Sequence, residues 1–203
     1  MPPEMTPPTT MSPTRQRAGW SRRRLLRAGG GAALALPYLV AGRWRLLTPR
    51  EARAAGASLR VLGQRQAQAL AALAETLVPG AEADGVVFYL DAQLAADPAD
   101  SLLILRYLDV PPPWDAFYRA TAAAIDHVAG EDGFAALASD TRARLVSDLM
   151  AGRAGDWPQD APPAGLALFV LRADAVDVVW GTPEGFARLG IDYLPHIAPA
   201  RPW

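Results

Sequence analysis

The sequence predicts an all-α protein: a small bundle of five or six helices with an extended Pro/aromatic C-terminal tail, preceded by a disordered N-terminal signal segment. Three observations carry this. From Leu59 onward, apolar residues recur at helical spacing, with Pro and Gly clusters as punctuation. There is no strand alternation long enough for a sheet, no glycine-rich turn after a strand and no phosphate loop, which excludes a dinucleotide fold. Residues 1–20 are Pro-, Thr- and Arg-rich without apolar periodicity, so they can bury little. The chain therefore divides into a leader and linker, residues 1–57, and a helical domain with its tail, residues 58–203.

Taken in order, Leu62, Ala69, Leu70, Leu73 and Leu77 make one stripe, interrupted by Gln66 and ended by Val78-Pro79-Gly80, since proline cannot continue a helix cheaply. Val86 to Ala96 places Val87, Leu90 and Leu94 on one face, ending near Asp97-Pro98. Ser101 to Val110 reads as a buried helix or a short buried strand, which periodicity alone does not separate. Pro111-Pro112-Pro113 opens a helix from Trp114 to Val128, with Phe117, Thr121, Ala124, Ile125 and Val128 inward. Gly133 to Leu137 is a short turn, and Ser139 or Asp140 is expected to cap Thr141 to Met150. Gly152 to Pro163 is a loop. Leu166 to Val179 is a strongly apolar helix with Leu168, Leu171, Ala175 and Val179 as its stripe.

The leader carries its own signal. Ser21, Arg22, Arg23 and Arg24, then Leu25, Leu26 and Arg27, precede the apolar run Ala28 to Gly42, too short to span a hydrocarbon layer of about 30 Å comfortably. The order resembles a twin-arginine export signal, with Leu25 and Arg27 where that pattern usually has Phe and Lys. Ala55-Gly56-Ala57 fits a small-x-small cleavage site; cleavage near Val40 to Gly42, or retention as an anchor, stays open.

Composition narrows the chemistry. Of 203 residues, none is Cys, which excludes disulfides, thiolate metal sites, covalently attached haem and thiol catalysis. The near-zero net charge of −1 hides an asymmetry: residues 1–57 hold ten Arg against Glu4 and Glu51, and residues 58–203 hold ten Arg against nineteen Asp and Glu. An acidic folded body argues against nucleic acid as partner. His127 follows Asp126 on a helix, where adjacent side chains point apart. His196 sits between Pro195 and Ile197 with no second ligand at useful spacing. Asp91, Asp109, Asp115 and Asp126 are scattered and read as solvated faces. No residue is assigned as catalytic, cofactor-binding or metal-binding.

The tail is the most unusual part. Thr182 caps a short helix that Pro183 starts, Glu184 favours its positive end, and Gly190 supplies a left-handed stop. From Ile191 to Trp203 three prolines stiffen the chain, so docking costs little entropy. The expected partner-binding residues are Trp180, Thr182, Pro183, Glu184, Phe186, Tyr193, Pro195, His196 and Trp203, aromatic anchors among them.

Several segments carry a resemblance: Leu70 to Gly80 (LAALAETLVPG), Gly85 to Asp91 (GVVFYLD), Phe169 to Leu171, and Trp180 to Gly190. With the twin-arginine leader, the chain resembles the gluconate 2-dehydrogenase subunit 3 family, although its Pro79 to Gly85 loop is shorter than in many relatives. That resemblance implies a non-catalytic small subunit of an exported dehydrogenase complex. Its partners would be a large FAD-dependent flavoprotein of the glucose-methanol-choline class, a multihaem cytochrome c and the twin-arginine translocase. FAD and haem c would sit in those partners and no cofactor in this chain, with a periplasmic location at the inner membrane through the complex. Two other assignments use the same residues: a membrane-anchored periplasmic adaptor that keeps Ala28 to Gly42, and an independent periplasmic enzyme using Asp126, His127 or His196.

Overall fold

Ala69, Leu70 and Leu73 fall on one side of an amphipathic segment, and in the computed structural model, which describes residues 35–153 and 156–192, that segment is the central helix, with Leu62 buried just ahead of its N-cap Gly63. The elements run β1 (Leu36–Val40), β2 (Arg43–Leu47), α1 (Pro49–Ala54), α2 (Gln64–Leu77), α3 (Val86–Leu94), α4 (Ile104–Tyr107), α5 (Asp115–Ala129), a 3-10 turn at Phe134–Ala136, α6 (Ser139–Met150), α7 (Ala164–Val179) and α8 (Pro183–Arg188). The class is the predicted one. Five long helices, α2, α3, α5, α6 and α7, build it, and α1, α4 and α8 are short additions.

Helix α2 packs on α3, α5, α6 and α7, so its apolar side meets every layer of the bundle. Leu70, Leu73, Leu90, Ile125, Phe134, Val170 and Leu171 are fully enclosed in one core. Each such side chain contributes roughly 1.5–3 kcal/mol by leaving water. Thr121, Ala124 and Ile125 are buried as predicted, and Phe117 and Val128 are half-buried at the margin.

The structure departs from the sequence reading in four places. Residues 36–57, read as the end of a leader and its linker, are a hairpin and a helix folded onto the body. Leu36, Tyr38, Val40 and Leu47 pack with Ala52, Ala57, Phe88 and Ala92, joining the hairpin and α1 to α3. The small antiparallel sheet that results was not expected; Leu36 pairs with Leu47 and Val40 with Arg43, around a turn at Ala41-Gly42. Ala57, in the expected cleavage motif, is buried and donates its amide to the Ala52 carbonyl. The Ser58 amide donates to the Leu39 carbonyl, so a cut there would separate segments that are packed together.

Second, Ser101 to Val110 is neither a full helix nor a strand: only Ile104–Tyr107 is helical, and Tyr107 and Leu108 are exposed. Third, Ser139 and Asp140 lie inside α6, whose N-cap Ala138 makes no side-chain cap bond. Fourth, Asp91 is not on a solvated face. Its carboxylate is buried and accepts the amides of Arg60, Val61 and Leu62 at 2.8, 2.8 and 2.9 Å, fixing the approach to α2.

Gly85 is what allows the N-terminal layer to sit close. It caps α3 at φ +82°, and a Cβ there would run into the Pro49 carbonyl at the start of α1. The signal residues Ser21 to Arg27 lie outside the described residues, as does the tail from Tyr193 onward.

Candidate interaction site

Helix α7 (AGLALFVLRADAVDVV) is apolar nearly all round, although a surface helix ordinarily has one polar side. Its inner side, with Leu168, Leu171, Ala175, Val178 and Val179, belongs to the core. Its outer side carries a second apolar stripe, flanked by exposed Arg172 and Asp177. Leu166, Phe169 and Val176 are 38%, 53% and 37% exposed, and half-buried Ala173 completes a stripe at spacings of three and four. One further turn along that stripe stands Trp180, the C-cap of α7, half-buried.

Trp180 is held from the side by α8. The Thr182 hydroxyl accepts the Gly185 amide at 3.0 Å, Pro183 opens the helix, Glu184 lies exposed in its first turn, and Gly190 follows at φ +68°. These are the roles the sequence assigns them. Gly185 is buried because α8 closes directly on the end of α7: a Cβ there would strike the Val179 carbonyl and come within 2.7 Å of the Trp180 Cα. Phe186 is half-buried, while Leu189 and Ile191 beyond it are exposed.

Arg188 secures the arrangement. Its guanidinium stands 5.3 Å from the Trp180 ring centroid, within cation–π range, and donates to the Val179 carbonyl and to Asp84 Oδ2, both at 2.7 Å. The other oxygen of Asp84 accepts Arg50 from α1. Asp84 is only 6% exposed, so one buried carboxylate ties the first helix to the last. Pairing with two guanidinium groups offsets the cost of burying its charge.

A second buried carboxylate lies deeper. Asp174, on the inner side of α7, accepts the Ile104 amide at 2.9 Å and the Tyr118 hydroxyl at 2.6 Å. Burial pushes its pKa up to about 7, against the pull of those two donors. Burial and the Asp174 charge together push the Tyr118 phenol well above its ordinary range. The pair pins α4 and α5 to α7.

The remaining candidates are dispersed. Asp126 turns away from His127, pairing with Arg65 at 2.8 Å and accepting the Phe134 amide at 2.9 Å, while His127 is exposed. Asp115 pairs with Arg119 along α5, and Asp109 lies exposed at the turn after α4. Among the described residues, no group of three or more His, Asp or Glu side chains could hold a metal ion, and no helix is long and apolar enough to cross a membrane. Of the expected partner-binding residues, Trp180, Thr182, Pro183, Glu184 and Phe186 come together at the α7–α8 junction; Tyr193, Pro195, His196 and Trp203 lie outside the described residues.

Sequence reasoning missed the outer stripe of α7. The signal was present, because Leu166, Phe169 and Val176 fall off the inner stripe of Leu168, Leu171, Ala175 and Val179 and are still apolar. It also missed Asp84 and Asp174, which nothing local distinguishes from solvated acids. No family model, no curated protein and no solved structure matches the chain.

Proposed function

We propose that the chain is the non-catalytic small subunit of an exported, FAD-dependent dehydrogenase complex, and that it clamps the large flavoprotein subunit. The twin-arginine route would carry the pair folded, with FAD in the large subunit and haem c in a cytochrome subunit. The observation that supports this reading is the outward apolar stripe of α7 leading into Trp180. Phe169 and Trp180 are large rings with few rotamers, the kind of anchor that dominates interface energetics. Arg188 and α8 hold Trp180 in place beforehand, which lowers the ordering cost on binding.

Exchanging Phe169 and Val176 for Asp places charges in the centre of that interface without touching the core. Copurification of the flavoprotein is expected to fall by at least about tenfold, since a hot-spot anchor is worth roughly 2 kcal/mol or more. Unchanged recovery of the flavoprotein with the F169D/V176D chain would show that α7 is not its docking face.

A further inference from the structure

The β1–β2 hairpin turns two different sides outward and inward. Residues opposite one another in an antiparallel pair share a side. Leu36, Tyr38, Val40 and Leu47 therefore share the side of α1 and α3, as do Arg43 and Arg45 with exposed side chains, and Pro37, Leu39, Trp44 and Leu46 face away. An outward hairpin side is ordinarily polar. Here Trp44 is 60% and Leu46 42% exposed, Pro37 is exposed and Leu39 is half-buried.

Arginines lie close to this patch. The Arg60 guanidinium is 5.3 Å from the Trp44 ring centroid, and Arg43 and Arg45, both exposed, project from the other side of β2. Among the described residues Arg50 pairs with Asp84 and Arg53 with Glu82, whereas Arg43, Arg45 and Arg60 form no ion pair. Glu51, whose charge feels Arg45, is itself bonded to Thr48. The rest of the body is strongly acidic, so this is where a negatively charged surface can approach.

We propose that the outward hairpin side is an interfacial docking surface for an anionic lipid bilayer, with Trp44 and Leu46 entering the headgroup region, Arg60 beside them meeting lipid phosphate, and Arg43 and Arg45, on the other side of the same strand, adding longer-range attraction. An apolar side bearing Trp, on an element that also carries Arg, is the composition that lies in a membrane interface. It needs no spanning helix and does not depend on the flavoprotein reading.

The absence of cysteine makes the test local. A full chain carrying Leu46→Cys, labelled with an environment-sensitive dye, is mixed with phosphatidylcholine vesicles with and without phosphatidylglycerol. A blue shift is expected only with phosphatidylglycerol. Arg60→Gln should weaken it about fivefold, Arg43→Gln and Arg45→Gln each by less, and added salt should weaken it further. Sedimentation with vesicles without a dye shift would place binding in another segment, and no binding at all would leave the patch to a protein partner. Equal shifts on both vesicle types would remove the arginines from the account. Each of these three results overturns the proposal.

Discussion

Replacing Asp174 by Asn probes the buried centre of the fold through its pH dependence. The folded chain holds this carboxyl with a pKa of about 7, because burial disfavours its charge, against an ordinary value of 3.8. Below pH 4 the group is protonated in both folded and unfolded chains and costs nothing. As pH rises from about 4 to 7, the unfolded chain gives up the proton while the folded chain keeps it, so wild-type stability falls. A gap of about three pH units at ~1.4 kcal/mol each makes the full loss about 4 kcal/mol, reached above pH 7. Asn has no charge to bury, can still accept from the Ile104 amide, and can meet the Tyr118 hydroxyl as donor. Urea unfolding at several pH values is the assay. The two chains should be of similar stability near pH 4, and the Asn variant should be the more stable by a few kcal/mol at pH 8. A difference between them that does not change with pH would refute the reasoning.

Three further outcomes follow from the same geometry. Asp91→Ala leaves the amides of Arg60, Val61 and Leu62 without their acceptor in the interior and should cost about 3 kcal/mol or more, seen as a lower urea midpoint; a loss under ~1 kcal/mol would contradict the role given to this carboxylate. Asp84→Asn weakens the tie between α1 and α8, so the Phe186 and Leu189 amides should exchange with solvent faster while those of α7 do not; equal protection in both chains would show that the ion pairs do not hold α8. Gly85→Ala combines a left-handed backbone, about 1–2 kcal/mol for an L residue, with a collision at Pro49, and should expose Thr48 to Ala57 to proteases; an unchanged cleavage pattern would contradict the close packing of α1 on α3.

What was legible in the sequence was what short-range rules determine. The α2 stripe, its end at Pro79, the inner side of α7 and the Thr182-Pro183-Glu184 opening of α8 all depend on residues within one or two turns. The hairpin was not legible because LPYLV is apolar throughout and falls in the run read as the core of an export signal, while RWRLL alternates over only four residues, with Trp44 and Leu46 on the exposed side. The buried carboxylates were hidden for a different reason. Asp91 meets backbone thirty residues upstream, and Asp174 meets a hydroxyl on another helix, so nothing local announces either contact. At the α7–α8 junction, Trp180 and the capping residues could be singled out from spacing, but the part played by Arg188 and Asp84 arises only when segments 104 residues apart are brought together.

The most direct test of the proposed function is to purify the C-terminally tagged chain from its native membrane fraction, record the absorption spectrum and identify by mass what accompanies it. The account predicts flavin bands with a larger protein, and haem bands where a cytochrome is retained. A lone, colourless chain would contradict it.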